Sequence, residues 1–278
     1  MNQPLVSVCI PTYRGAEFIG TTLRSVLDQT YRNLEIIVLD DNSPDNTADV
    51  VASFADSRIK YLRNPANLGP QGNWNRCLAL ATGRYFKLLP HDDLLSPDCI
   101  DNQVRVFEAD PDEKIALVFG ARRIMRPDNR LLMERGLKAP AGPIDGPSLV
   151  RQCVRSGGNL IGEPGSGLLR KKLVDVLGPY DGSFPYVIYM NYWFRALAHG
   201  EGFYTARNDS AFCIKAGSWS VAIGKRQHLD FVGMANAFRA DARYRLTALD
   251  CQIGAARASI NTVIRWLMYR YLFAGQRA

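Results

Sequence analysis

The chain has 278 residues, 47% of them hydrophobic and 22% charged, with a formal net charge of +7. This is globular composition with length enough for a large core, and it excludes a disordered or fibrous chain. The positive balance suits an anionic ligand, an anionic membrane surface or nucleic acid, without separating them. The start, Met1-Asn2-Gln3-Pro4, has no basic patch ahead of a long apolar run, and no stretch of about 18 apolar residues occurs. Neither a signal peptide nor a spanning helix is therefore expected. Six cysteines are scattered without a CxxC pair and read as small buried hydrophobes, which suits a reducing cytoplasm. His91, His199 and His228 are too dispersed for a zinc site.

In chain order, residues 5–12 form a near-continuous apolar run ended by Pro11-Thr12, the pattern of a buried parallel strand. Residues 16–29 carry apolar side chains at helical spacing. A second strand, 34–39, ends in the turn-rich Asp40-Asp41-Asn42-Ser43-Pro44-Asp45, which leads into a short helix. Residues 59–62 form a third strand, 64–72 a loop and 73–81 a helix stopped by Thr82-Gly83. A fourth strand, from Tyr85, stops at His91-Asp92-Asp93. Beyond it come a helix (98–109), a strand (115–125), a hairpin or loop (126–147) and a helix (148–155). A small-residue strand (165–170), helices at 171–177 and 190–199, and strands at 203–204 and 211–215 follow, with helix from about 226.

Alternating buried strands and helices predict an α/β fold with a mostly parallel sheet flanked by helices on both faces. In such sheets ligands sit beyond the carboxyl ends of the strands. Three of those ends are polar here: Pro11-Thr12-Tyr13-Arg14, Asp40-Asp41-Asn42-Ser43 and His91-Asp92-Asp93. Taken alone, Asp92-Asp93 fits a turn or helix cap as well as a site. Its convergence with the other two ends favours a site. Adjacent carboxylates at a strand end suit Mn²⁺ or Mg²⁺ carrying a phosphorylated ligand, because hard cations take oxygen ligands.

These residues resemble the family 2 glycosyltransferases of the GT-A fold. The resemblance rests on Val6-Ser7-Val8-Cys9-Ile10-Pro11-Thr12-Tyr13, on the strand leading to Asp40-Asp41-Asn42-Ser43-Pro44-Asp45, and on Asn67-Leu68-Gly69-Pro70-Gln71-Gly72-Asn73-Trp74. Ala81-Thr82-Gly83 and Leu88-Leu89-Pro90-His91-Asp92-Asp93 complete it. It is close over about the first 100 residues and weaker to about 220. It implies a GT-A domain over 1–220, with a nucleotide-sugar half (1–110) and an acceptor half (111–220), and a helical extension over 221–278. It also implies roles. Pro11, Thr12 and Tyr13 would line the base and ribose pocket, and Asp40 would accept from the nucleobase with Asp41 close by. Asn67, Gly69 and Asn73 would run beside the nucleotide. Asp93 would hold the metal and Asp92 the ribose or metal, while His91 stands where the family's first Asp belongs. The implied reaction is inverting, metal-dependent transfer of a sugar from a nucleotide-diphospho-sugar to a saccharide or lipid-linked acceptor, in surface polysaccharide or glycolipid assembly.

The chain departs from the family at the general base. Ile188-Tyr189 stands where a Glu-Asp pair belongs. Asn191 is nearby, and Asp181 and Glu163 are the nearest carboxylates in sequence; Asp181 and Asn191 are taken as the candidates. Three explanations compete: a base from elsewhere, an acceptor deprotonated late, or a chain that binds nucleotide sugars without turning them over. Cys213 and Lys215 replace the family's usual Arg and His in the following loop, where Lys215 would reach the diphosphate and Gly217 and Gly224 would let the segment act as a lid. A nucleotidyltransferase would want a glycine-rich basic loop after the first strand, which Pro11-Thr12-Tyr13-Arg14-Gly15 is not. Nucleic-acid binding would want a basic stripe among exposed aromatics, whereas the arginines here are dispersed. The apolar, arginine-dotted stretch 260–273 suits peripheral contact with the inner face of a membrane, or packing on the body or on another subunit.

Overall fold

The first two strands set the layers. β1 (Val6–Thr12) and β2 (Leu34–Asp40) are buried along their whole length and pair in parallel. Side chains alternate across a pleated strand, so Val6, Val8, Ile10, Ile36 and Val38 enter one core while Cys9, Ile37 and Leu39 enter the other. Helix α1 (Ile19–Leu27) closes the first core with Ile19, Leu23 and Val26, an i, i+4, i+7 stripe. The computed structural model describes residues 3–215 and 226–273.

After α2 (Thr47–Ala52) and β3 (Ile59–Arg63), helix α3 (Gly69–Leu80) returns the chain to β4 (Tyr85–Leu88). The order β3-β2-β1-β4 is parallel throughout. Two buried polar anchors fix this half. Glu35 accepts from Ser7 Oγ (2.5 Å), Thr82 N and Oγ1 (both 2.7 Å) and Lys60 Nζ (2.9 Å). Lys87 is fully buried and donates to Gln103 Oε1 (2.8 Å) and the Gly167 carbonyl (3.0 Å). A buried charge persists only where its hydrogen-bonding capacity is met.

The remaining elements are β5 (Leu94–Leu95), α4 (Cys99–Glu108), β6 (Ile115–Met125), β7 (Leu131–Arg135), β8 (Gly142–Ile144), α5 (Gly146–Ser156), β9 (Gly167–Arg170), α6 (Lys171–Leu177), α7 (Ile188–Leu197), β10 (Glu201–Cys213), α8 (Gln227–Arg239) and α9 (Ala248–Leu272). The sheet continues β9-β6-β10-β5 and has ten strands in all. β9 runs antiparallel to both β4 and β6, whereas β6 and β10 are parallel.

Three local differences from the sequence expectations have clear causes. α3 starts at Gly69 rather than 73, because Pro70 suits a helix's first turn, where its missing N–H is no loss. The strands expected at 203–204 and 211–215 are one strand, β10, whose ladder continues through register shifts between Tyr204 and Ser210. The segment 126–147 contributes β7 to β6 and β8 to β10. The C-terminal helix α9 begins at a Thr247–Asp250 capping box. It is clamped to α5 by Asp250, which meets Arg155 Nη1 at 2.7 Å and Arg151 Nε at 3.0 Å.

Candidate active site

The carboxyl ends of the parallel strands open onto a cleft of about 930 Å³. Pro11, Thr12, Tyr13, Asp41, Asn67, Gly69, Asn73, Asp92 and Lys215 all line it, with His91 and Trp74. Thr12 is buried and its hydroxyl has no protein partner, so it is available to a ligand. The loop after β1 passes so close to the His91 turn that a Cβ on Gly15 would meet Thr12 Oγ1 at 2.1 Å and the His91 ring at 3.0 Å. Lys215 Nζ lies 3.3 Å from Asn129 Oδ1 and 4.7 Å from the centre of the Phe18 ring. The lid expected around Gly217 and Gly224 lies outside the described residues.

The acids after β2 divide. Asp40 is fully buried and does not line the cleft; its carboxylate accepts from Tyr61 Oη (2.5 Å) and the Ser43 N–H (2.9 Å). The nucleobase contact expected of Asp40 thus falls on a carboxylate that is set back from the cleft and already accepts two hydrogen bonds. Asp41 lines the cleft and accepts from Asn64 Nδ2 (2.7 Å) and the Leu68 N–H (2.8 Å). Asn64 Nδ2 also donates to Asn73 Oδ1 (3.0 Å), so these residues set the Asn67–Gly69 loop against the end of β2.

Asp93 is 3% exposed, and its Oδ1 accepts from the Cys213 N–H at 3.1 Å. Thr22 Oγ1 lies within hydrogen-bond distance of both the His91 carbonyl (2.7 Å) and the Asp93 carbonyl (2.9 Å), pinning the turn to α1. Burial, then the charges of Asp92 and Glu163, push the Asp93 carboxyl well above the usual carboxylate range. Excess negative charge in a dry place fits a hard cation, which would relieve it. Among the described residues no group of three or more His, Cys, Asp or Glu gathers to enclose an ion. A cation at Asp92–Asp93 would thus draw most of its oxygen ligands from a bound phosphorylated molecule and water, the usual pattern for Mg²⁺.

Trp74, Pro90 and Asp92 form a shared wall between this cleft and a second pocket, of about 220 Å³. Asp93, Glu163, Tyr186, Tyr189 and Met190 line the second pocket. The amino end of α7 thus faces the pocket but brings no carboxylate. Burial, then the charge of Glu163, hold the Tyr189 phenol well above its ordinary value, so it cannot serve as a base. Glu163 comes from the preceding loop, whose shape is built in. Asn159 Oδ1 accepts from the Ile161 and Gly162 amides (3.0 and 2.9 Å), and Trp193 Nε1 donates to the Gly162 carbonyl (3.1 Å). Gly162 has φ 124°, and a Cβ there would meet Ser166 Oγ at 2.2 Å. Beneath, Arg122 is 2% exposed and its Nε lies 2.5 Å from Glu163 Oε2.

Asp181 and Asn191, the candidates for catalysis, lie elsewhere. Both line a third hollow with Tyr180 and Arg195. Asp181 Oδ1 accepts from the Ser183 N–H (2.9 Å) and Oγ (2.6 Å). Asn191 and Arg195, an i, i+4 pair, share a side of α7 that faces this hollow. The residues the sequence did not single out are Arg122, Arg135 and Arg265. Arg122 left a signal, as one of two adjacent charges, with Arg123, in a strand that is otherwise apolar.

Strand order, a cleft at the carboxyl ends and paired acids after β4 define a protein of the GT-A glycosyltransferase type. The sequence model described as glycosyl transferase family 2 matches residues 7–178, and the chain belongs to that family. The UDP-Glc:alpha-D-GlcNAc-diphosphoundecaprenol beta-1,3-glucosyltransferase WfgD of Escherichia coli is 40% identical over 104 residues, 37% of this chain and 41% of that protein. An uncharacterized protein of Mycobacterium tuberculosis is 32% identical over 202 residues, 70% of this chain and 62% of that protein. The chain's matches thus span 41% and 62% of the length of these two relatives. Among solved structures, Staphylococcus aureus TarS 1-349 in complex with UDP-GlcNAc has a TM-score of 0.67 at 18% identity, covering 91% of this chain and 71% of that one. Mannosyltransferase PcManGT from Pyrobaculum calidifontis, in complex with GDP-Man and Mn²⁺, has a TM-score of 0.59 at 16% identity, covering 99% and 81%. At these identities the two structures show the fold.

Proposed function

We propose that the chain transfers a sugar, with inversion, from a nucleotide-diphospho-sugar in the large cleft to a saccharide or lipid-linked acceptor in the second pocket. The observation that carries this reading is the shared wall: Asp92 borders both cavities, with Asp93 and Glu163 just beyond it. A donor held by Thr12, Asp41 and the Asn67–Gly69 loop would put its anomeric carbon near that wall. Asp93, with Asp92, would hold Mn²⁺ or Mg²⁺, which would offset the charge that builds on the leaving diphosphate. Lys215 would add a point charge on the diphosphate from the far side.

Glu163 takes the role of general base. The acceptor oxygen forms its bond to the anomeric carbon as the bond to the diphosphate breaks, Glu163 takes the hydroxyl proton, and nucleoside diphosphate leaves. A single displacement inverts the anomeric centre, through an oxocarbenium-like transition state. Arg122 keeps the Glu163 carboxylate in place, and Trp193 and Asn159 fix its loop, so the base is pre-positioned.

A setting in surface polysaccharide or glycolipid assembly, at the inner face of a membrane, fits the last helix. Ile260, Ile264, Leu267 and Tyr271 form one stripe along α9, each at least 55% exposed. From residue 251 to 278 the sequence has four arginines and no acid. No helix among the described residues is long and apolar enough to cross a membrane, so contact would be peripheral. Incubation with a panel of nucleotide sugars and Mn²⁺ tests the reading through release of nucleoside diphosphate. Donor binding without any release, with or without acceptor, would replace it with a non-catalytic nucleotide-sugar-binding role.

A further inference from the structure

Three arginines and three acids, Asp92, Asp93 and Glu163, line the second pocket, but they are not matched pair by pair. Arg122 rises from β6, Arg135 from β7 and Arg265 from α9, and all three line it. Glu163 accounts for Arg122 alone. Arg265 spends Nε on Gln227 Oε1 (2.7 Å) and Nη2 on Thr262 Oγ1 (3.2 Å), both neutral. Among the described residues no carboxylate lies within ion-pair distance of Arg135 or Arg265. Arg135 is exposed on β7 at the edge of the pocket, on the side of Arg122 and Arg265. Two donors in the pocket wall are also unspent: Arg122 Nη1 and Asn159 Nδ2 are buried without a hydrogen-bond partner. Orphaned donors beside unpaired guanidiniums are what a multiply charged oxyanion satisfies, because guanidinium forks match phosphate geometry.

We infer that this pocket binds the phosphate or diphosphate of the acceptor, with Arg135 and Arg265 as its counter-charges and Arg122 and Asn159 donating from the wall. The inference rests on the transferase reading above and names the acceptor class: a hydroxyl compound that carries phosphate. Around the arginines the lining is apolar, with Met133, Phe231 and Met268, so a hydrocarbon tail attached to the phosphate has somewhere to lie. Arg265 sits on the buried side of α9, whose other side carries the exposed apolar stripe. A single helix thereby places the phosphate site next to the surface on which a lipid-linked acceptor would arrive.

The test is calorimetric titration of the full chain, without divalent metal, using inorganic pyrophosphate, farnesyl diphosphate and farnesol. Both diphosphates should bind. Arg135→Gln and Arg265→Gln should each weaken them about tenfold, and the double variant should abolish binding. Tighter binding of farnesyl diphosphate than of pyrophosphate marks a lipid-linked acceptor, and equal binding a water-soluble one; either supports the site. Equal binding of farnesol, or unchanged diphosphate affinity in the double variant, overturns it. Stabilisation of the same samples by nucleoside diphosphate with Mn²⁺ is read separately. Its survival in the double variant leaves the transferase reading standing when the phosphate site fails, and its absence in the unaltered protein removes that reading instead.

Discussion

Arg122 holds Glu163 with its Nε 2.5 Å from Oε2, and the arginine is the more buried of the two, 2% exposed against 17%. The acid is therefore anchored from below and reachable from the pocket. Glu163→Gln should lower kcat by about 10²–10⁴-fold, the usual contribution of a positioned base, with donor affinity unchanged. Asp181→Asn should leave kcat within about twofold, since the residue lines a separate hollow. Comparable losses in both variants would remove the distinction between them.

Asp93→Asn keeps a side-chain oxygen for the Cys213 N–H and removes the charge. Thermal stabilisation by nucleoside diphosphate should then lose its dependence on Mn²⁺, while the melting temperature without ligand stays the same or rises, because a crowded buried charge has gone. A variant that still shows the full Mn²⁺-dependent shift would exclude Asp93 as a metal ligand.

Asp40 and Asp41 make opposite predictions. Tyr61→Phe removes the hydroxyl from Asp40 and should cost about 1–3 kcal/mol in chemical denaturation, the cost of leaving a buried charged acceptor underpaired. It should leave the donor KM unchanged. Asp41→Asn should raise the donor KM more than it lowers the unfolding free energy. The reverse pattern would return Asp40 to the binding role.

Glu35 gives a pH signature. Burial raises its carboxyl, but the hydrogen bonds from Ser7, Thr82 and Lys60 outweigh that and bring it down to about 2. Its folded value lies below its unfolded value of about 4.3. The stability it contributes is therefore fully present above the unfolded value and lost as pH falls through about 2. Against Glu35→Gln, the unaltered protein should be more stable by about 2–3 kcal/mol at pH 7, with the gap narrowing steadily below pH about 4.5. A gap that stayed constant down to pH 3 would show that the charge contributes nothing.

The donor half was legible because its logic is local. There β1, β2 and β4 are buried runs ending in polar loops, so Thr12, Asp41 and Asp92 could be placed at one sheet edge from their positions alone. Asp40 could not be told from Asp41 because adjacency hides direction: only the Tyr61 and Ser43 contacts reveal that it turns inward. Asp181 drew attention by closeness in sequence to α7, yet which side of a helix faces a pocket depends on neighbours distant in the chain. Glu163 had a local cue, a lone acid in Gly162-Glu163-Pro164-Gly165, but nothing short of β6 packing could pair it with Arg122. Arg265 was the least legible, since its place depends on Asp250 docking α9 onto α5.

The capping box and arginine clamp that seat α9 also tie the two substrate surfaces to one folding event. Cys9, Ile37 and Leu39, from the donor-side strands, share a core cluster with Leu117, Trp193, Phe238 and Ala258, and a domain generally folds as a unit. From α9, Arg265, Met268 and Tyr269 supply one wall of the second pocket. A chain in which α9 failed to dock would thus lose part of its core together with the seat for its second substrate.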